Sequence, residues 1–437
     1  MERITLTKDF QKEIFCELLR KYSRDELSKI IGVNSSSIYF IKNYKIRSID
    51  IKKFNRIALI LSLKKSDIEK NTIRIFSDKE LLKGLETGRK IRHKQLKTWK
   101  SELPKINNIM ENNSLNVELW FEKYVKLTNF GARKVLKIEK NKDTIVVFLR
   151  THSNVTKYKK TFKVVLPKSI ALDNDFSYFF GLWCGDRTGG GRIGVINTSH
   201  ELILAAKNYL KKMYQDPKYY VLRSSKIENI PPLPIKVDKV YVVKNMAGTY
   251  VPFIFSTNGY LKTFFDFLHE NLDEFLLHIQ HKNAFFAGLF DAEGNVSLED
   301  SCFRWACKNK INIEIYKKHL TSMGLFKRYD GSSLVTYNKN YFIKNIFPYI
   351  KHKQKINRIN LLFFDKGYLE DRFKKLLICI NDSPGKELKE IAHIAKKKKV
   401  YAQCKFLCKK GYIKTEGYPM KLYVTKKGLN EIGREGQ

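Results

Sequence analysis

Two short stretches hold the residues whose types and spacing could do chemistry. They are Phe179-Phe180-Gly181-Leu182-Trp183-Cys184-Gly185-Asp186 and Phe286-Ala287-Gly288-Leu289-Phe290-Asp291-Ala292-Glu293-Gly294, and they align without a gap. Each reads as an apolar helix. Gly181 and Gly185 are four apart and share one helix face, as do Gly288 and Ala292, which lets two such helices approach more closely than the usual ~8–10 Å. Close contact offsets what glycine costs in helix propensity. Each helix then presents an acid, Asp186 or Glu293, and the glycines that follow, Gly189 to Gly191 and Gly294, mark the helix end. A helix C-terminus carries roughly half a negative charge, so two carboxylates brought together there repel unless a cation joins them. A divalent metal is the simplest answer. Hard oxygen ligands select Mg²⁺, with Mn²⁺ as a substitute, and two acids beside a phosphate backbone suit metal-activated water attacking a phosphodiester. The competing reading is a pair of buried helices that end in acids, with glycines serving packing alone. Matching positions in two copies, in a strongly basic chain, favour a site.

The elements that must position these acids repeat. From about Asp175 to Phe364 each half opens with an apolar helix. In the first, Phe176 to Asp186 leads through a glycine turn to a strand near Arg192 to Ile196, a helix from Glu201 to Met213, a strand at Tyr250 to Phe255 and a helix at Leu261 to His269. In the second, Ala284 to Glu293 leads to a strand near Phe303 to Ala306, a helix from Ile313 to Met323, a strand at Ser333 to Tyr337 and a helix at Tyr341 to Ile350. Duplication about a pseudo-twofold axis is expected.

The paired motifs resemble those of LAGLIDADG (dodecapeptide, DOD-type) homing endonucleases of the two-motif, single-chain kind. The resemblance covers less than half the chain. It implies an α+β fold with two αββαββα halves, whose motif helices pack at the centre and whose saddle-shaped antiparallel sheets lie in the DNA major groove. It also implies that the last motif acid of each half, Asp186 and Glu293, binds the metals, and that both strands are cut to leave 3′ overhangs. Two departures stand out. Arg187 replaces the usual glycine after the first acid, so the turn there is expected to differ, and Cys184 replaces the earlier acid that Asp291 retains. A basic residue near each metal site is also implied. Lys355 is the best match in the second half, where it could polarise water or stabilise charge on phosphate, although it is one lysine among many on a basic surface. For the first half Lys244 is the weak match.

Composition sets the partner. The 437 residues carry 83 Lys+Arg against 44 Asp+Glu, a formal charge of +39, which calls for a polyanion. Nucleic acid fits better than a membrane, because aromatic residues at 13% are spread through the basic segments. No apolar run spans a bilayer and Met1 to Glu13 lacks a signal-peptide core, so an intracellular protein is expected, and with the pseudo-twofold symmetry internal to one chain it is expected to be a monomer. The seven cysteines lack paired spacing. Cys404 and Cys408 lie four apart and could share a helix face, but neither zinc nor disulfides are supported.

Four regions follow. Residues 1–72 read as a helix-turn-helix domain: Ser23 and Glu26 form a capping box, Gly32-Val33-Asn34 turns, and Asn34 caps a second helix from Ser35 to Asn43. Ser35, Ser36, Ser37, Tyr39 and Lys42 would face a major groove, unless this is a small bundle that only packs. Residues 73–170 read as a basic accessory region, helical to about Leu136, with strands at Thr144 to Leu149 and Thr161 to Leu166. Its run Arg89 to Lys94 reads as a solvated face. Residues 171–372 are the core, with halves at about 175–275 and 282–364. Residues 373–437 suggest a winged helix, with helices at Leu388 to Ala395 and Val400 to Cys408, then short strands at 411–413 and 422–425. Lys396 to Lys399 would meet phosphates, the rival reading being a non-binding lid or dimerisation unit. In the core, Arg192, Asn197, Arg304, Lys308, Tyr337 and Lys339 are expected on strands whose outer face meets duplex DNA.

The first expectation is therefore a site-specific double-strand endonuclease using Mg²⁺. The others are a DNA-binding regulator that keeps the fold without cleavage and an RNA-binding intron maturase that takes structured RNA. Protein splicing is not expected, since no Cys or Ser opens the chain and no His-Asn closes it.

Overall fold

The computed structural model describes residues 2–44, 46–77, 80, 102–127, 133–151, 161–227, 230, 233, 235–243, 249–364, 366, 368–395 and 400–433. Arg89 to Lys94, Lys244 and Lys396 to Lys399 lie outside the described residues. The fold is mixed α+β and has two units: Met1–Leu103 with Phe130–Lys134 and Arg150–Thr161, and Pro104–Asn129 with Val135–Leu149 and Phe162–Gln437.

In the first unit, buried Ile4 and Leu6 alternate with half-buried Arg3 and Thr5 and so form a strand, β1 (Glu2–Leu6), with one buried face. It lies between β2 (Ser48–Asp50) and β3 (Thr72–Ser77), antiparallel to both. Helices α1 (Lys8–Lys21), α2 (Arg24–Ile31), α3 (Ser35–Lys42), α4 (Ile51–Ile60) and α5 (Lys65–Asn71) fill the intervals. Phe15, Leu18, Leu27, Ile38, Phe54 and Ile57 join Ile4 and Leu6 in one core. Strands thus join the helices of the expected helix-turn-helix domain, because two short stretches at its ends pair with each other. Ser23 and Glu26 do exchange both bonds of a capping box, and Gly32 closes α2 at φ +66°. Asn34 stands at the cap of α3, but its side chain makes no capping bond.

The second unit begins with α6 (Ile106–Ile109), β4 (Met110–Glu111), β5 (Ser114–Asn116) and α7 (Val117–Leu127), takes in most of β6 (Arg133–Lys140), β7 (Thr144–Thr151) and β8 (Thr161–Pro167), whose outer ends belong to the first, and continues with β9 (Ser169–Ala171). The strands expected near 144 and 161 are present. The region is not wholly a linker: Trp120 and Phe121 of α7 pack edge-on against Phe264 at 5.0 Å and Tyr260 at 5.3 Å.

Next come α8 (Asn174–Asp186), β10 (Ile193–Ile196), α9 (His200–Lys212), β11 (Lys218–Ser224), β12 (Lys239–Val243), β13 (Tyr250–Ser256), α10 (Gly259–Glu270) and α11 (Leu272–His278). They are followed by α12 (Lys282–Glu293), β14 (Gly294–Ser297), β15 (Cys302–Ala306), α13 (Lys310–Ser322), β16 (Arg328–Tyr329), β17 (Ser333–Thr336) and α14 (Lys353–Phe363). One sheet runs β10-β13-β11-β12 and the other β14-β15-β17-β16. An isolated bridge, Arg187 to Val195, flanks β10 as β14 flanks β15. Counting that bridge, the orders match except for β12, which is additional and pairs parallel to β11, a departure from wholly antiparallel sheets.

Two further expectations change. The helix expected at Tyr341 to Ile350 is broken into single turns at Lys339–Tyr341, Phe342–Ile346 (π) and Phe347–Tyr349 (3-10), where Pro348 has no N–H for a continuing ladder. The turn after α8 does not diverge through Arg187: the backbone there is extended, at φ −62°, and Gly294 after α12 is extended too, at φ −83°. Gly294 meets a need for space, since a Cβ there would lie 2.3 Å from the Phe290 ring.

The chain ends in α15 (Asp371–Asn381), β18 (Lys386–Glu387), α16 (Leu388–Ile394), α17 (Tyr401–Lys409), β19 (Ile413–Glu416), β20 (Lys421–Val424) and α18 (Lys426–Gly433), with strand order β18-β20-β19. Cys404 is buried and Cys408 exposed. Among the described residues no helix is long and apolar enough to cross a membrane.

Candidate active site

Helices α8 and α12 meet through their glycines. A Cβ on Gly181 would lie 2.0 Å from the Phe285 carbonyl oxygen and 3.0 Å from the Leu289 nitrogen. A Cβ on Gly288 would lie 2.0 Å from the Tyr178 carbonyl oxygen and 2.8 Å from the Leu182 nitrogen. Those partners occupy matching positions of the two motifs, so the contact is reciprocal. One turn on, a Cβ on Gly185 would lie 2.4 Å from that of Ala292 and 3.0 Å from Glu293 Cγ, so the crossing has room for one methyl and not two. The C-terminal ends of both helices adjoin, and Asp186 and Glu293 with them. Aromatic side chains hold this arrangement from outside, with Phe180 packed edge-on against Phe265 and Phe275 at 5.7 and 5.2 Å.

The two acids differ. Glu293 is exposed, whereas Asp186 is half-buried. Burial pushes the Asp186 carboxyl up to about 6, against the pull of a hydrogen bond from Asn197, and the neighbouring Glu293 charge adds to the rise. Asn197 Nδ2 donates to Asp186 Oδ2 at 2.6 Å, and the amide is oriented by Ser199, whose backbone N–H donates to Asn197 Oδ1 at 2.7 Å. Lys355 on α14 brings the opposing charge. Its ammonium donates to the carbonyls of Phe290 at 2.6 Å and Asp291 at 2.7 Å, in the last turn of α12. There it answers both the free carbonyls and the negative end of the helix dipole. Burial holds Lys355 down to about 8, although Asp291, Asp186 and Glu293 all favour its charged form. Because Lys355 in turn lowers Asp186, a Lys355→Met variant should raise the Asp186 midpoint above about 6. A carboxyl NMR titration reads this directly, and an unchanged midpoint would place the ammonium outside the electrostatics of the site.

Asp291 is turned away from the two terminal acids. Its Oδ2 accepts from the Tyr178 hydroxyl and from the Lys351 backbone N–H, each at 2.6 Å, and burial raises its carboxyl. The matching pair in the other helix is Cys184, whose thiol burial pushes up, and Phe285. Polar thus stands with polar and apolar with thiol, so the departure at Cys184 is accompanied by the loss of the phenol that would have answered an acid. The signal for Tyr178 and Phe285 lay one turn before the first glycine of each motif.

The expected DNA-facing residues scatter. Ser36 and Tyr39 are exposed on α3, with Lys42 half-buried behind them. Arg192 precedes β10, exposed, with its guanidinium 4.5 Å over the Phe255 ring. Asn197 follows β10 and is committed to Asp186. Of the residues expected on core strands, Arg304 alone sits within one, and Asp300 and Asp330 hold its guanidinium at 2.5 and 3.2 Å. Lys308 is exposed beyond the end of β15. Tyr337 follows β17, 41% exposed, and Lys339 starts the helical turn after it, 5.4 Å over Phe363. β10, β15 and β17 are only four or five residues long, so most of the basic and polar residues expected on them fall beyond strand ends.

The donors available to a cation at the adjoining helix ends are carboxylate oxygens of Asp186 and Glu293. Among the described residues no cluster of three or more His, Cys, Asp or Glu side chains forms a metal cage. Two hard oxygen donors fit Mg²⁺ or Mn²⁺, ions that keep several waters, better than zinc. No family model matches the chain, and neither a curated protein nor a solved structure matches it.

Proposed function

We propose that the chain is a site-specific double-strand DNA endonuclease of the LAGLIDADG kind, with two halves related by a pseudo-twofold axis through the α8–α12 contact. The observation that carries this reading is the reciprocal glycine contact, which sets Asp186 and Glu293 side by side at adjoining helix ends. The matched strand orders and a charge of +39 support it. α2, the Gly32 turn and α3 are read as a helix-turn-helix, and residues 371–433 as a winged helix. Both lengthen the DNA footprint through phosphate contacts.

Asp186 and Glu293 would hold the divalent ion, which when bound supplies a lowered water pKa and a Lewis acid at the phosphate. The chain's own groups do the rest. Asn197 fixes the rotamer of the Asp186 carboxylate, and the buried Lys355 ammonium sets a positive charge beside both acids, where negative charge develops on a phosphate. Lys355 is already bonded to two carbonyls, so it acts electrostatically from a fixed position.

The test is cleavage of a randomised plasmid library in Mg²⁺ against EDTA, beside Glu293→Gln. Linear product is expected with metal and wild type only. Tight, salt-sensitive duplex binding without cleavage in Mg²⁺ or Mn²⁺ would instead favour the silent DNA-binding regulator, a reading to which the existing Asn197 bond on Asp186 lends itself. Preference for structured RNA over duplex at equal salt would point to the maturase.

A further inference from the structure

Helix α14 joins two parts of the second unit that the sequence separates. At its start, Lys355 bonds the last carbonyls of α12. Three residues on, and so on a neighbouring part of the same helix surface, Arg358 enters a network with the segment that opens the C-terminal module. Glu370, the residue before α15, accepts from Arg358 Nε on Oε1, and on Oε2 from Arg358 Nη2 at 3.3 Å and Arg372 Nε at 2.9 Å. Arg372 Nη1 continues to Glu299 at 3.0 Å, in the turn between β14 and β15. Arg358 Nη1 donates at 2.8 Å to Asn295, two residues beyond Glu293.

This is no ordinary surface pair. The Glu370 side chain is 11% exposed and that of Arg358 20%, and the two arginines are balanced by two glutamates. Charges removed from water to this extent are held by geometry, and removing one partner leaves the others uncompensated. A second bond pair clamps the same segment: Asn357 Nδ2 donates to the Tyr368 carbonyl and Tyr368 N–H donates to Asn357 Oδ1, both at 2.9 Å. The module itself reaches back, since Leu369 N–H donates to Glu431 of α18 at 3.4 Å. α14 is therefore fixed on one side by α12 and on the other by the C-terminal module.

We propose that Glu370 is a positioning residue: by gathering Arg358 and Arg372 it fixes α14 so that Lys355 stays on the α12 carbonyls beside Asp186 and Glu293, which makes the C-terminal module part of the catalytic unit. The placement of Lys355 is a structural claim, while its effect on cleavage rests on the endonuclease reading. Arg372 keeps Glu299, whereas loss of the Glu370 charge takes from Arg358 the acid that ties α14 to the C-terminal module, and the hold on that side of α14 weakens.

The test uses the full chain with Glu370→Gln and three readouts: the Asp186 midpoint by carboxyl NMR without metal, the duplex Kd, and the single-turnover cleavage rate constant in Mg²⁺. The midpoint should move upward, towards the Lys355→Met value. The rate constant should fall roughly ten- to hundredfold, the scale of a small misplacement, with Kd within about twofold. A strut that only docks the module would lower the melting temperature and the active fraction but leave midpoint and rate constant alone, and that result overturns the proposal. A wild type that cuts nothing, beside a Glu370→Gln midpoint that still moves, sinks the endonuclease reading and keeps the positioning. If Glu370→Gln does not fold, Arg372→Lys carries the same test, because lysine cannot span both acids as the guanidinium fork does. Glu314→Gln, which removes an exposed pair with Lys317 on α13, should change none of the three.

Discussion

At pH 7.5 the Asp186→Asn variant should be more stable than the wild type and should cut nothing. The stability half follows from the direction in which burial moves the carboxyl. In the folded chain Asp186 titrates near 6, above the ordinary aspartate value of 3.8. Below pH 3.8 it is neutral in both states and costs nothing. Between 3.8 and 6 the unfolded chain gives up its proton first, so stability falls as pH rises, and above 6 the full cost is present. A rise of this size corresponds to roughly 2 kcal/mol once discounted for the water that reaches a half-buried group. Removing it should raise the melting temperature by about 3–6 °C. At pH 4 most of this gain should vanish. Lys355, held down to about 8, has the opposite sign: its cost is present below 8 and is relieved as pH rises from 8 towards 10.5. The site is thus least comfortable between about 6 and 8, where a divalent cation would relieve it. Mg²⁺ should therefore raise the wild-type melting temperature at pH 7.5 and leave that of Asp186→Asn unchanged. Cleavage should drop at least about 10³-fold, since metal assistance contributes several kcal/mol to the transition state. A variant no more stable than wild type at pH 7.5 would mean that Asp186 ionises without strain.

What could be read in the sequence was whatever depends on local spacing. The glycines at 181, 185 and 288 and the acids at 186 and 293 announce a close helix crossing with carboxylates at its end, because a helix repeats every 3.6 residues whatever surrounds it. The Ser23 box and the strands at 144 and 161 are equally local. Contacts made over long separations could not be read. Arg304 looks free for a phosphate until the turn between β16 and β17 brings Asp330 to it. Lys355 looks like any surface lysine until α14 lays it on the carbonyls of α12, and Asn197 looks like a base reader until Ser199 turns its amide to Asp186. The network through Glu370 joins residues 295, 299, 358, 370 and 372, a set with no shared spacing. β1 was hidden by brevity, since two alternating apolar residues, Ile4 and Leu6, are too few to signal a strand.

The glycine crossing makes the severest demand on the chain. Gly288→Ala places a methyl 2.0 Å from the Tyr178 carbonyl oxygen, inside any tolerable contact, and the atom it meets is backbone. The helices must separate, which strips packing from Phe180, Trp183 and Phe286 and draws Asp186 away from Glu293. A cost of about 3–5 kcal/mol is expected, or about 10 °C in the melting temperature of the second unit. Gly181→Ala should match it, because its clash with the Phe285 carbonyl oxygen is also 2.0 Å. The double variant decides whether the contact is truly shared: once one methyl has forced the helices apart the second meets less resistance, so the two costs should fall well short of adding. Gly189→Ala and Gly191→Ala, with nothing within 4 Å of the added carbon, should each stay within about 0.5 kcal/mol. Strict additivity of the two helix substitutions would mean that each glycine serves its own helix, and the reciprocal contact that sets the two acids together would no longer stand.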